Sequence, residues 1–423
     1  PETPVTTNFH SLPNKMIDYQ KWAKDQDIIS YDSYPTYDAP AYKPAFLYDL
    51  MRSLKHQPFM LMESAPSQVN WQSYSPLKRP GQMVATELQA VAHGADTVQF
   101  FQLKQAVGGS EKFHSAIIAH SQRTDTRAFR ELADLGQKLK EAGPTILGSK
   151  TKAKIAIVFD WSNFWSYEYV DGITQDLNYV DSILDYYRQF YERNIPTDII
   201  GVDDDFSNYD LFVAPVLYMV KAGLAEKINS YVEKGGHFVT TYMSGMVDST
   251  DNVYLGGYPG PLKDVTGIWV EESDAMVPGQ KVRVKMDDKE YETSLMCDLI
   301  HPNKAKVLAS YADEFYAGTA AITENDYGKG KAWYVGTKLG HQGLTQLFNH
   351  IVLETGVESL VCDSHKLEVT KRVTADGKEL YFVLNMSNEE RELPNKFADY
   401  EDILTGEKAK SSMKGWDVQV LTK

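Results

Sequence analysis

Along residues 1–148 short apolar runs alternate with longer segments whose apolar positions recur at helical spacing. VTTNF (5–9), DIISYDSYP (27–35), PFMLMES (58–64) and DTVQFFQLKQ (96–105) predict strands. MIDYQKWAKDQ (16–26), YKPAFLYDLMRSLKH (42–56), QMVATELQAVAHGA (82–95) and FRELADLGQKLKEAG (129–143) predict helices. Pro44 stands near the start of its helix, where a missing N–H is tolerated. Gly94 follows a helical run, as a C′ residue does. Four βα units in succession predict a parallel sheet, open or closed into a barrel.

A second α/β region starts near residue 149. KIAIVFD (154–160), TDIIGVD, YDLFVAPV and HFVTTY predict strands, and residues 180–195 and 224–236 predict helices, the second ending in Gly-Gly. This is a doubly wound pattern. It runs through a more β-rich stretch to the strand KAWYVGT (331–337) and a helix over 345–356. From 359 to 423 the pattern is antiparallel β, with two alternating strands around ADGK, where Asp-Gly signals a hairpin. The expected domains are therefore 1–148, 149–358 and 359–423.

Composition narrows the class. Hydrophobic residues make up 43% of the 423, enough for large cores, and 26 Tyr and 7 Trp could serve packing or a sugar-stacking surface. A net charge of −15 argues against nucleic acid or an anionic membrane as partner. No apolar run reaches the length of a membrane span. Cys297 and Cys362 have neither metal-ligand nor disulfide-framework spacing, so a reducing, cytoplasmic compartment is expected. The chain opens on Pro, with no signal peptide in view and a strand almost at once, as if entered midway.

The four early strands end in polar residues: Asn8, then Tyr31, Asp32 and Tyr34, then Glu63, then Gln102. In a (β/α)8 barrel the active site forms at these strand ends. Four units make half a barrel with two open edges, so four more are expected before residue 1. Glu63 could be a carboxylate merely paired with a neighbouring cation. Its position after PFMLM and before Trp71, with the other polar strand ends, suits instead a nucleophile at an oxocarbenium-like centre, whose partner carboxyl would stand roughly 5–5.5 Å away. In GGSEKFH (108–114), Glu111 and His114 follow the last of these strands and could take sugar hydroxyls, or form an ordinary solvated loop. A metal site there lacks a third ligand. Asp203, Asp204 and Asp205 read as a solvated turn. DWSNFWSYEY, from Asp160, stands at a usual ligand position in open α/β sheets, but without GxGxxG or a P-loop its aromatics are expected to cover an interface. No cofactor is expected. Amidotransferase chemistry is rejected because neither cysteine has the flanking glycines of a nucleophile elbow.

PVTTNF, SYDSYP, LMESAPSQVNW, LKRPGQM, QAVAHGAD, VQFFQ and GGSEKFH, in this order, resemble glycoside hydrolase family 42, the β-galactosidases. The resemblance runs over the whole chain and is densest between residues 5 and 120. It implies strands five to eight of a catalytic (β/α)8 TIM barrel, a flavodoxin-like domain that builds a homotrimer, and a small antiparallel β domain. It implies Glu63 as the catalytic nucleophile of a retaining enzyme acting on terminal β-D-galactosides, with Tyr34, Trp71, Glu111 and His114 as sugar contacts. The family's acid/base glutamate belongs to strand four, and no residue here takes that role. It is therefore expected upstream, as are the cysteines that hold a structural zinc in some members. Tyr34 is expected to donate a hydrogen bond to Glu63. Rival readings are a related glycosidase acting on β-fucosides or α-L-arabinosides, and a non-catalytic assembly fragment.

Overall fold

The structure, a computed structural model, describes residues 2–10 and 13–423; residues 1, 11 and 12 lie outside it. The chain forms two compact units, one of residues 1–153, 190–198 and 359–423, the other of residues 154–189 and 199–358.

In the first unit four strands, β1 (Asn8–His10), β2 (Ser30–Asp32), β3 (Phe59–Glu63) and β4 (Ala95–Val98), lie in sequence order, all parallel. Helices α1 (Tyr19–Ala23), α2 (Tyr42–Ser53) and α3 (Gln82–Ala92) connect them, and α4 (Arg127–Ile146) follows β4. On β3, Phe59 and Leu61 are fully buried while Met60 and Met62 are not, the alternation of a strand with unlike faces. Helix α3 ends as its sequence implies. His93 caps it, and Gly94 turns the chain at φ +114° into β4. A Cβ at Gly94 would stand 2.6 Å from the Arg52 side chain, so both backbone shape and space require glycine.

The last segment forms a five-stranded sheet in the order β16 (Glu368–Val373), β17 (Glu379–Leu384), β22 (Val418–Thr422), β19 (Glu401–Asp402), β20 (Glu407–Lys408), with antiparallel pairings; β18 (Arg391–Glu392) and β21 (Ser412–Met413) pair separately. Leu380, Phe382, Leu384, Val418 and Val420 share one apolar core with Met83 and Leu88 of α3 and Leu135 and Ile146 of α4.

A buried polar junction crosses this unit. His93 is hydrogen-bonded through Nδ1 to Asp49 of α2 (2.9 Å) and through Nε2 to Glu368 of β16 (2.8 Å). Tyr191 and Gln89 donate to the other Glu368 oxygen, at 2.7 and 2.8 Å. Arg52 binds Asp49 (2.8 Å) and Asp198 (2.5 Å). Arg372, fully buried, donates to Val91 O and Ala95 O (2.9 Å each), Ser149 O (2.9 Å) and Asp96 (2.6 Å). A neutral imidazole can donate from only one nitrogen, so an imidazolium satisfies both carboxylates.

The second unit holds an eleven-stranded mixed sheet. Strands β5 (Ile155–Val158), β7 (Leu211–Ala214), β8 (His237–Thr241) and β14 (Gly330–Val335) pair in parallel, with β6 (Thr197–Ile200) at the edge beside β5. β5 and β7 are buried throughout, as strands covered on both faces are. On the other side the sheet continues through β13 (Ala320–Tyr327), β12 (Lys306–Tyr311), β10 (Arg283–Met286) and β11 (Lys289–Pro302) to β15 (Thr337–Leu339), and β9 (Ile268–Ala275) pairs with β11. Its helices are α5 (Trp161–Tyr169), α6 (Tyr179–Tyr191), α7 (Leu224–Glu233), α8 (Lys263–Thr266) and α9 (His341–Thr355).

Two expectations need correction. The fourth strand is only Ala95–Val98, because Gln102 and Gln105 turn aside to hydrogen-bond the backbone of Ile117 and Ile118. The first helix is only Tyr19–Ala23, begun by Asp18, whose side chain accepts from Lys21 N. The aromatics after Asp160 form α5, with the Asp160 carboxylate capping it at Asn163 N (2.9 Å); Trp161 is buried against Phe159, while Tyr169 is exposed. Asp203–Asp205 are exposed, as expected of a solvated turn.

Burial pushes the His93 pKa down, but Asp49 and Glu368 outweigh it and raise the value from 6.5 to about 9. The unfolded imidazole titrates lower, so this stabilisation is full below pH 6.5 and is lost as pH rises through about 9. The shift corresponds to roughly 3 kcal/mol. We expect the melting temperature of the full-length protein to fall between pH 7 and 10, and His93→Gln to flatten that fall while destabilising the protein at pH 7. Parallel alkaline melts of the two proteins would refute the junction's role.

Candidate active site

Three strand ends, those of β1, β2 and β3, and the loops beyond them line a cavity of about 590 Å3 whose lining includes His10, Asp32, Tyr34, Glu63, Trp71, Phe101 and Glu111. Its floor is set by a register shift. Tyr31 pairs with Leu61, but the next residue on β2, Asp32, pairs with Glu63, leaving Met62 as an extra residue on β3. Such a bulge re-aims the side chains that follow it. It brings two carboxylates level at adjacent strand ends. The ladder continues one step further, with Ser33 N donating to Glu63 O at 2.8 Å.

Tyr34 organises the wall beside Glu63. Its hydroxyl donates to Glu63 Oε2 at 2.8 Å. Its ring meets Trp71 and His114 edge-on, with centroid distances of 5.5 and 5.6 Å. Gln72 Nε2 donates to the carbonyls of Tyr34 (3.0 Å) and Pro35 (3.2 Å), fixing the segment from behind. Burial, then the hydrogen bond to Glu63, push the Tyr34 pKa far above the usual phenol value, so the hydroxyl stays a donor.

The structure thus brings the five sequence-derived residues into one neighbourhood, in different settings. Glu63, Tyr34, Trp71 and Glu111 line the cavity, and Trp71 is 54% exposed. His114 is 0% exposed; it lies against Tyr34 and Phe101, its Nδ1 meets Ser115 O at 3.0 Å, and its Nε2 has no partner among the described residues. Sequence reasoning noted Asp32 and Asn8 only as polar strand ends. The structure couples them: Asn8 Nδ2 donates to both Asp32 oxygens, at 2.9 and 3.1 Å. Lys78 and Glu87, 3.8 Å apart, were not singled out, and Lys78 Nζ also donates to Ala65 O at 2.5 Å, two residues past Glu63. Only LKRPG, a cation inside a turn-forming stretch, could have signalled this. No cluster of three metal-ligating side chains occurs among the described residues.

Comparison with known proteins places the chain in a family. Family models described as β-galactosidase, β-galactosidase trimerisation domain and β-galactosidase C-terminal domain match residues 1–142, 153–358 and 366–423. The chain belongs to glycoside hydrolase family 42. β-Galactosidase LacZ of Lactobacillus acidophilus is 87% identical over 421 residues, covering 100% of this chain and 63% of the relative. β-Galactosidase BgaP of a Planococcus species is 44% identical, over 96% of this chain and 61% of the relative. The crystal structure of a β-galactosidase from Bacillus circulans sp. alkalophilus superposes with a TM-score of 0.96 at 42% identity, over 100% of this chain and 64% of that one. The chain therefore spans about 61–63% of the length of these family 42 relatives. No helix among the described residues is long and apolar enough to cross a membrane.

The Asp32 carboxyl in the cavity has a raised pKa. Burial pushes it up, the Asn8 hydrogen bonds pull it down and Glu63 pushes it up again, to about 6. The unfolded carboxyl loses its proton near 3.8, so Asp32 increasingly costs stability as pH rises from there through about 6. Asparagine at this position still accepts from Asn8. Asp32→Asn is expected to gain about 2–4 °C in melting temperature at pH 8 relative to wild type, the gain vanishing toward pH 4. A gap that does not change with pH would show that Asp32 is not held out of its charged form.

Proposed function

We propose that this chain carries the nucleophile side of a retaining β-galactosidase. The observation that carries the reading is Glu63 at a strand end inside the cavity, held by the Tyr34 hydroxyl at 2.8 Å. Glu63 attacks the anomeric carbon of a terminal non-reducing β-D-galactoside and forms a covalent glycosyl-enzyme. Water then releases galactose with retained configuration. The proton is given to the leaving oxygen, and later taken from the water, by a glutamate that the family resemblance places outside this chain. Tyr34 holds the nucleophile's Oε2, leaving its other oxygen to attack. Trp71 offers its exposed ring to an apolar sugar face. Glu111 accepts hydroxyls from the open side, and His114, buried beside Tyr34 with its Nε2 unpartnered among the described residues, is assigned as a further hydroxyl contact.

The same reading assigns the four parallel strands to the second half of a (β/α)8 barrel, residues 149–358 to a flavodoxin-like domain that forms a homotrimer, and residues 359–423 to a small antiparallel domain. The matching description of a β-galactosidase trimerisation domain over residues 153–358 supports the assembly. The high identity to named β-galactosidases supports the substrate class.

The test is covalent trapping. Full-length protein treated with an activated 2-fluoro-galactoside is expected to carry the sugar on the peptide containing Glu63, and Glu63→Ala to lose on the order of 10^3-fold or more in kcat. A folded protein with no label, or one labelled elsewhere, would overturn the assignment. Tyr34→Phe is expected to lower kcat about 10–100-fold on an activated aryl galactoside with KM little changed, the pattern of a contact that matters in the transition state; unchanged turnover would remove Tyr34 from the mechanism.

A further inference from the structure

Two places on the second unit hold large apolar side chains out to solvent on backbone that is tied down. The first is the loop after β8. Val253 pairs there with Val247 across a tight reversal, in which Asp248 N donates to Asn252 O at 2.9 Å and Tyr254 N to Met246 O at 3.0 Å. Alternation along this extended stretch turns Tyr254 inward, where it packs against the core and donates to Val220 O at 2.8 Å. Its neighbours Val253 and Leu255 are left outward. Lys263 holds the next carbonyl, Gly256 O, at 2.7 Å. Leu255 is thus 93% exposed although the residues on both sides of it are anchored. Asp251 of the same loop binds Ser166 of α5, one turn before the exposed Tyr169.

The second place joins the loop between β9 and β10 to the turn between β12 and β13. Gln280 links them: its Oε1 accepts from Val277 N at 3.0 Å and its Nε2 donates to Glu314 at 2.9 Å. Tyr316 is buried and donates to Asp274 at 2.8 Å, while its neighbour Phe315 is 81% exposed and Val277 is exposed as well. The two groups are separate. Val270 of β9 bridges to Tyr258, three residues from Leu255, and Val277 comes seven residues later, roughly 23 Å further at strand spacing. The charged groups of these segments are engaged within the chain. Asp248 accepts from Thr250 and Asn252, Glu168 from Tyr179 N, Asp313 from Arg283, and Lys281 meets Glu292. Asp171, exposed two residues past Tyr169, suits the polar rim that interfaces keep. Val307 and Leu353, also exposed, lie on β12 and α9, and single exposed apolar side chains need no partner.

Both groups fall within residues 153–358, the segment matched by the trimerisation-domain description. A closed ring of three identical chains cannot be built from one self-complementary patch. Each of its contacts joins two unlike surfaces, head to tail. The second unit carries two unlike apolar groups that stand too far apart to cover each other within one chain. We propose that Tyr169, Val253 and Leu255 of one subunit dock on Val277 and Phe315 of the next, and that three such contacts close the ring. The proposal rests on the homotrimer reading and adds the two surfaces that make it. Loops already held by their own hydrogen bonds have little freedom left to lose on docking, so most of the apolar burial goes to association.

Sedimentation velocity of the full-length protein tests this. Wild type is expected at the mass of three chains. Leu255→Asp and Phe315→Asp each alter a side chain already in solvent, so both are expected to keep the wild-type circular dichroism. Each is expected to raise the concentration needed for assembly about 30-fold or more. Leu353→Asp, on α9, is expected to stay trimeric. An equimolar mixture of Leu255→Asp and Phe315→Asp chains retains one good contact, and is expected to give a two-chain species that neither variant forms alone. A trimer undisturbed by either Leu255→Asp or Phe315→Asp overturns the proposal and leaves the homotrimer reading standing. So does dissociation by Leu353→Asp equal to theirs, or a mixture that yields no two-chain species. A wild type that is not trimeric overturns both.

Discussion

The first unit depends on one buried proton. His93 stands between two carboxylates, Asp49 and Glu368, that come from parts of the chain far apart, and both ring nitrogens are engaged. With the imidazole charged, each of the two carboxylates receives a hydrogen bond from it; with it neutral, one buried carboxylate loses its counter-charge. Removing one member of a buried pair commonly costs about 3–5 kcal/mol, because the other is left uncompensated. Around this point α2, α3, β16 and the segment 190–198 are held together through Arg52, Tyr191 and Gln89. The same Gln89 amide also donates to Ala41 O at 3.0 Å, so the network reaches the start of α2 as well.

At the strand ends a different constraint acts. A single extra residue, Met62, lets Asp32 and Glu63 stand level, and like charges at that range push against each other. The structure gives them different supports. Asp32 is clasped by the amide of Asn8, whereas Glu63 is held by a phenol that stays protonated. Two carboxyls on neighbouring strands thus have environments that differ in donor type and in strength.

Much of this was legible in the sequence. The βα alternation, Gly94 as the stop of α3 and the hairpin at ADGK follow from local rules, and the structure has them. Polar residues after Val-, Ile- and Met-rich runs located the cavity wall, and the Tyr34–Glu63 hydrogen bond was expected. The misses have a common cause, which is that their signals are non-local. DTVQFFQLKQ has strand character throughout, yet its second half pairs with residues 117–118 instead of with β3. The burial of His114, the bulge at Met62 and the pairing of His93 with Glu368 depend on segments that no window of sequence contains.

Glu368 lies 275 residues after His93, and Arg372 lies 281 after the carbonyl it caps on Val91. During synthesis the strands that carry Glu63 are made long before the groups that neutralise their rear surface. Asp49 and Arg52 can meet at once, since they are three residues apart on one helix. His93 cannot complete its second contact until nearly the whole of the described chain has been translated. An early stop or a frameshift near residue 368 would therefore leave a nascent chain with a finished front and an unfinished back, exposing Leu88 and Leu135 together with an unsatisfied imidazole. That surface is of the kind quality-control machinery recognises, so lesions far from the cavity in sequence would be expressed as loss of protein before any loss of chemistry.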